Sequence, residues 1–493
     1  MKIRQRLLAV ALCGLLAVGV LTIGYGNTEV SFSKEKGASE MEDRKDTLFL
    51  WYTDDALTDL LNSAAVTYLE EKGIRVIPTL KSGLEYPEEI NQASMSSDTV
   101  PDFYIIPNDS LEKVYLAGLA TEVDETGSFV CATNYCEPAI NAVTYHGKTI
   151  AYPMYFETSA LIYNKSYLYD FAKTSLEAIK DAREGEEAQA LADAEQNAEF
   201  ANGDEDEDFE ELEDEEVNED DLIDFSNGIT EEMIQERMLG YLPDTFDTML
   251  AFADEYDAPE QVESVLSWDV TDIFYTYFIA GAYMDFGGPN GDDKESINLL
   301  NGKCVRAMST YQELNQFFSI DTEQSNYETV LQDFLDGKSV FLIATTESVA
   351  RIQEAIRDGS FPYEYGTAMI PDINEELETK SLSVTDCFVV NGYSQHQKEA
   401  NDFIQYFLRE NSSMIYSRCG KAPSSKLAGE IEDIQAFVEE YGYSVPTPKL
   451  VEIANFWIYL EAAFSDIWNG KNAEATLKKL DEQIRLQLGG VTE

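Results

Sequence analysis

Residues Val143–Lys165 read V-T-Y-H-G-K-T-I-A-Y-P-M-Y-F-E-T-S-A-L-I-Y-N-K. Two apolar strand-like runs, Thr149–Tyr152 and Ala160–Tyr163, flank Pro153 and a solitary carboxylate, Glu157. Proline cannot donate to a sheet ladder, so Pro153 belongs at a strand edge or a crossover. A carboxylate between two β-rich apolar runs is costly to bury unless something pairs with it. A strand that leaves one packed unit, exposes an acid in a gap and enters a second unit satisfies both facts. The stretch therefore predicts a hinge beside a cleft.

Outward from it, the N-terminal side alternates strand and helix. Leu48–Tyr52 reads as a strand, Ala56–Lys72 as a helix stopped by Gly73, and Arg75–Thr79 as the next strand. That spacing is a βαβ unit, which implies parallel pairing with a right-handed crossover. Asp102–Ile106 and Ser110–Ala117 repeat the strand and helix signals. Ligands of such sheets sit outside the carboxyl ends of the strands, where Asp55 and Asp109 fall. On the C-terminal side, Thr245–Tyr256, Phe317–Gly337 and Glu347–Arg357 read as helices, and Ser339–Ala344, Tyr365–Ile370 and Ser383–Val390 as strands. From Glu399 onward the pattern is helical.

Five segments, in order, carry a resemblance to a known family. They are L-F-L-W-Y-T-D-D at Leu48–Asp55, P-D-F-Y-I-I-P-N-D-S-L-E-K-V-Y-L-A-G-L at Pro101–Leu119, the Val143–Lys165 stretch, F-L-D-G-K-S-V-F-L-I-A-T-T at Phe334–Thr346, and Val445–Gly470 with F-W-I-Y-L-E-A-A-F-S-D-I-W-N-G inside it. Together they resemble the extracellular solute-binding proteins of sugar ABC transporters, the maltose/maltodextrin-binding type. The resemblance implies an α/β, two-lobed periplasmic-binding-protein-like fold, each lobe a mostly parallel sheet flanked by helices around a central cleft. It implies an N-lobe of 47–156 plus 384–428 and a C-lobe of 157–383 plus 429–490. A binding protein of this type is not an enzyme, needs no cofactor, captures a small solute such as an oligosaccharide, and passes it to a membrane permease. A monomer is expected.

Sugar recognition needs directed acceptors and donors for hydroxyls, with charged acceptors making the stronger bonds, and flat aromatic faces for the apolar face of a pyranose. The expected ligand-binding residues are Asp55, Asp109, Glu157 and Trp457, then Trp268, Asp269, Asp272 and Tyr275 from an aromatic run, and Thr346 beside Thr345. Asp55 and Asp109 equally suit helix caps, and Trp457 equally suits packing. Trp51 lies inside the first strand and reads as core. The chain departs from the maltodextrin pattern at Ile106, where a cleft aromatic is expected, at T-T-E-S, which lacks a stacking Trp, and at Glu461, where an Arg is expected. A different oligosaccharide, or another small polar solute, fits these departures. Two other readings of the acids remain open: a glycoside-acting enzyme, and capture of a cationic solute such as a polyamine or peptide.

Length and composition bound the rest. At 493 residues the chain exceeds one ordinary core. A net charge of −59 excludes a phosphate-backbone partner, so nucleic acid is not expected. Residues 1–26 hold Lys2, Arg4 and Arg6 ahead of the apolar run Leu7–Ile23, the pattern of a signal peptide or an N-terminal anchor, hence an exported, extracellular or cell-surface protein. Cys13 raises lipidation, against which Leu12 stands where a small residue is expected. Residues 27–46 read as a disordered tether. Asp181–Asp224 carries 22 acidic residues against Arg183 alone and reads as an insertion, mostly disordered. Within it Asp204, Asp206, Asp208 and Glu215 match calcium-loop positions, but Phe209 stands where such a loop needs glycine. Of six cysteines, Cys131 and Cys136 flank a short loop and bridge only if their Cβ vectors agree; Cys304, Cys387 and Cys419 read as free thiols. Two histidines, His146 and His396, give a metal site little to build on.

Overall fold

The computed structural model describes residues 47–489, apart from 84, 97–99, 125–126, 201–218, 319, 321, 323–324 and 454. The expectations for the signal segment, the tether and the calcium-like spacing lie outside the described residues. No described helix is long and apolar enough to cross a membrane.

Ten strands form the main sheet: β1 (Thr47–Tyr52), β2 (Arg75–Leu80), β3 (Phe103–Pro107), β4 (Tyr152–Asn164), β5 (Ser264–Ser267), β6 (Ser339–Thr345), β7 (Tyr365–Ala368), β8 (Leu382–Val390), β9 (Ala422–Pro423) and β10 (Val445–Pro446). The main path runs β2-β1-β3-β8-β4-β6-β5, with β7 and β9 on β4 and β10 on β8. β1 and β3 pair in parallel, as do β5 with β6 and β8 with β10, while β8 runs antiparallel to β3 and β4, and β4 antiparallel to β6.

β4 is the segment that decides this arrangement. From Tyr152 to Thr158 it pairs with β8, and from Ser159 to Asn164 with β6 and β7. One uninterrupted strand thus passes from one half-sheet into the other, as the apolar runs around Glu157 predict. Pro153 lies near its start, where the β8 register slips between Asp386 and Cys387. A bulge of this kind is one of the few places a sheet accepts a residue with no N–H to donate.

The core follows the period-2 alternation of the strands. Ala160 and Ile162 pack with one cluster that also holds Leu50, Phe103 and Phe388, whereas Leu161 and Tyr163 pack with a second that holds Trp268, Phe341 and Trp468. Leu342 and Ala344 of β6 fall in the first and Phe341 and Ile343 in the second, so this half-sheet is covered on both faces. Trp51 is buried in the first cluster, as expected.

The helix Thr58–Lys72 ends at Gly73, whose φ of 73° provides the left-handed cap the sequence placed there. Phe317–Gly337 is not one helix: Gly302–Phe318 ends where it begins, and Tyr327–Leu335 starts afresh on an Asn326 capping box. After Glu399 the helix Gln397–Cys419 gives way to the short β9, and β10 separates the helix Gln435–Tyr443 from the two that follow. Lys173–Ala198, rich in Ala and Glu, reads as helix-compatible, and Lys165–Phe200 is a single helix, so the first part of the acidic insertion is helical and not disordered. Ala and Glu are strong helix formers, so charge density alone does not prevent this. Cys304 and Cys387 are buried free thiols, and Cys131, Cys136 and Cys419 are also free, so Cys131 and Cys136 do not bridge in this structure.

Candidate functional site

Of the thirteen residues of β4, twelve are buried and only Glu157 is partly accessible. It sits two residues before Ser159, where the sheet partner changes. Alternation puts Tyr155, Glu157 and Ser159 on one face. Thr346 is the first residue of the helix that follows β6, and its Oγ1 donates to Glu157 Oε2 at 2.7 Å. Ser159 Oγ donates to the Phe274 carbonyl at 3.3 Å, which ties β4 to the Ile273–Thr276 turn. Tyr275 leaves that turn, stacks on Tyr327 with centroids 5.5 Å apart, and has its phenol pushed up by burial, by Tyr327, by Asp272 and by Glu157.

On the other side, Asp386 of β8 is opposite Tyr155, and so shares a face with Glu157 as its diagonal neighbour. Lys421 precedes β9, whose Ala422 and Pro423 oppose Phe156 and Tyr155; one more step of that register sets Lys421 against Glu157. Its Nζ is 3.0 Å from Asp54 Oδ2 and 5.7 Å from the Tyr155 ring centre. Burial pushes the Glu157 carboxyl up from 4.5 to about 7, opposed by the Thr346 bond and the Lys421 charge. Asp386 is likewise pushed up to about 7 by burial, with Lys421 opposing and Asp109, Glu157 and Asp54 adding to the rise.

The sequence-predicted residues fall into three groups. Glu157, Thr346, Tyr275 and, through its effect on Tyr275, Asp272 come together around the β4 switch. Asp109 follows β3, is half-buried, accepts from Ser110 Oγ at 3.1 Å, and is held up by burial. The neighbouring Asn108 is buried and fixes this turn, since its Oδ1 accepts from Thr385 N at 2.8 Å and its Nδ2 donates to the Thr447 carbonyl at 2.9 Å. Trp457 is half-buried at the start of the helix Phe456–Trp468, and Glu461, one turn on, has its carboxyl pushed up by burial and by Asp272 and Asp269.

Three expected residues are placed elsewhere. Trp268 is 0 % exposed and lies edge-on to Trp468 at 5.6 Å, inside the core. Asp269, 5 % exposed, accepts from Thr271 N at 2.9 Å, from Thr271 Oγ1 at 2.6 Å and from Tyr327 N at 2.8 Å, so its lone pairs organise two loops. Asp55 points to solvent, and it is Asp54 that both caps Ala56 N at 3.0 Å and pairs with Lys421. The sequence reading missed Asp54, Asp386 and Lys421. Asp386 was findable by the logic that found Glu157, a lone carboxylate in the apolar strand L-S-V-T-D-C-F-V-V. Lys421 carries no such signal, because it adjoins a strand of two residues. Among the described residues no group of His, Cys, Asp and Glu is arranged to hold a metal ion.

Residues 229–437 match the family of bacterial extracellular solute-binding proteins. The maltodextrin-binding protein MdxE of Bacillus subtilis (strain 168) is 25 % identical over 243 residues, 47 % of this chain and 56 % of that protein. The chain thus matches about half the length of this curated relative. Solved structures share the fold over about nine-tenths of the chain. One is the extracellular solute-binding protein of Staphylococcus aureus in complex with maltose, with a TM-score of 0.67 at 16 % identity, covering 90 % of this chain and 98 % of the other. Another is the maltose-binding periplasmic protein MalE of Listeria monocytogenes in complex with maltose, with a TM-score of 0.65 at 18 % identity, covering 91 % and 99 %. These establish the two-lobed α/β fold.

Proposed function

We propose that this chain, a member of the bacterial extracellular solute-binding proteins, captures an oligosaccharide in the cleft at Glu157 by closure of two lobes and delivers it to the permease of an ABC transporter. The lobes of this reading are 47–156 with 384–428, and 157–383 with 429–490. The change of pairing partner between Thr158 and Ser159 supports the first of those boundaries. The curated relative is a maltodextrin-binding protein and the similar structures hold maltose, which favours an α-linked glucose oligomer as the solute class.

One observation carries the reading. The single accessible position of a buried crossing strand is a carboxylate, and groups from both half-sheets converge on it: Thr346 from one, Asp386 and Lys421 from the other. A solute that bonds to both sets only in the closed form drives closure by its differential affinity. A micromolar complex corresponds to about −8 kcal/mol, enough to make the closed state dominant. No bond of the solute is broken. The protein is exported, and the N-terminal segment tethers it at the membrane if it is retained.

A thermal-shift series with maltotriose tests the reading. At a concentration ~100 times its Kd, a solute that binds only the folded state stabilises it by about 2.7 kcal/mol. The excess of carboxylates over the Lys421 ammonium favours one rival, a cationic solute, so spermidine belongs in the same series. A shift with spermidine and none with maltotriose selects the rival; shortened sugars in the incubation mixture select a glycosidase.

A further inference from the structure

The placement of Lys421 follows from the local chain. The helix Gln397–Cys419 ends at Gly420 in the left-handed conformation, φ 68°, and this turn delivers the next residue directly into β9 alongside β4. Lys421 is thereby held with about a fifth of its side chain accessible, against Asp54 at 3.0 Å and above the Tyr155 ring. The charged and titratable groups that face it come from every element around it: Asp54 from the turn after β1, Tyr155 and Glu157 from β4, Glu347 from the helix after β6, and Asp386 from β8, with Asp109 behind Asp386.

We propose that Lys421 is a positioning residue for solute capture: beside Glu157 and Asp386 it holds both carboxylates in the charged form, so that both accept hydrogen bonds from solute hydroxyls near neutral pH. The geometry supports this on two grounds. Two carboxylates on one face of adjacent strands repel one another and favour protonation, and a protonated carboxyl has lost an acceptor. An ammonium anchored on a third carboxylate, Asp54, offsets that repulsion without blocking either acid, because its own bond points away to the cap. Lys421 is itself opposed by burial but raised by Asp54 and Glu157, so it stays charged throughout.

The inference rests on the function proposed above, and its test separates the two. Carbon-13 spectra of protein labelled at the glutamate carboxyls, with E157Q assigning the signal, follow the Glu157 titration in the free protein. In K421M or K421Q the midpoint is expected to rise by about one pH unit, the size of a neighbouring opposite charge, and in K421R to stay near that of the unsubstituted protein. Affinity for maltotriose should fall about tenfold in K421M near pH 6.5 and recover toward pH 8.5, whereas a merely structural defect lowers it equally at both. An unmoved midpoint in the folded K421M and K421Q proteins overturns the inference. If the unsubstituted protein binds no maltotriose, the proposed function falls while the carboxyl titration still decides the role of Lys421.

Discussion

Thr346 Oγ1 donates to Glu157 Oε2 at 2.7 Å across 189 residues of sequence, and so joins the strand that crosses between the half-sheets to the first turn of the helix after β6. The bond holds a carboxylate oxygen in a fixed direction at the one accessible point of a buried strand. Thr346→Val keeps the shape and removes the donor. It should raise the Glu157 midpoint above about 7, since this bond lowers it, and should weaken maltotriose binding three- to tenfold. Thr346→Ser should restore both. Carboxyl carbon-13 titration and calorimetry are the measurements.

Solute binding and fold stability should respond to pH in opposite directions. Glu157, Asp386 and Glu440 are all raised to about 7 chiefly by burial, so the folded protein holds protons that the unfolded chain has released. Their contribution to stability is complete below about pH 4 and is lost as pH rises toward 7. Urea midpoints should fall over this window, and fall less steeply in the E157Q/D386N variant, where Glu440 alone of the three remains. Maltotriose affinity should instead increase as pH passes 7, because the ionised carboxylate is the acceptor.

The two tryptophans of the expected site should separate cleanly. Trp268→Phe disturbs a side chain with no exposed surface, packed on Trp468 and Phe318, and should cost about 2 kcal/mol of stability while the folded protein binds solute normally. Trp457→Ala at its half-buried position should cost less stability and weaken binding at least tenfold. Paired urea melts and calorimetry decide between these roles.

Lys449 is 1 % exposed and donates to the backbone carbonyls of Asn141, at 2.9 Å, and Asn290, while Asp292 accepts from His146 N at 2.6 Å beside it. Burial lowers its ammonium to about 8, against the pull of Asp292 and Glu112. Lys449→Met leaves these acceptors and acids without their cation and should destabilise the fold by about 3 kcal/mol, read as a lower urea midpoint. A change below 1 kcal/mol would show that the cation is dispensable there.

How much of this was legible follows from which residues act locally. The crossing strand was readable because Pro153 and Glu157 are anomalies within apolar β runs, and the Thr58–Lys72 helix because Gly73 marks its end. Thr346 was readable from its place after a strand. Lys421 and Asp54 were not, because their role exists only once Gly420 and the cap at Ala56 bring residues 54 and 421 together. Trp268 and Asp269 were misplaced for the opposite reason: an aromatic-rich run looks alike whether its rings face a cleft or a core, and only the packing of Trp468 decides it. The helix through Phe200 was readable as helix-compatible over Lys173–Ala198, because Ala and Glu are strong helix formers, although the acidic run as a whole reads as disordered.

The most direct test is titration calorimetry of the protein with maltotriose at about pH 8, alongside Glu157→Ala. Saturable one-site binding that leaves the sugar intact, and that weakens at least tenfold in the variant, is the predicted result. Equal affinity in the two proteins, or no heat from any maltooligosaccharide, contradicts capture at the crossing strand.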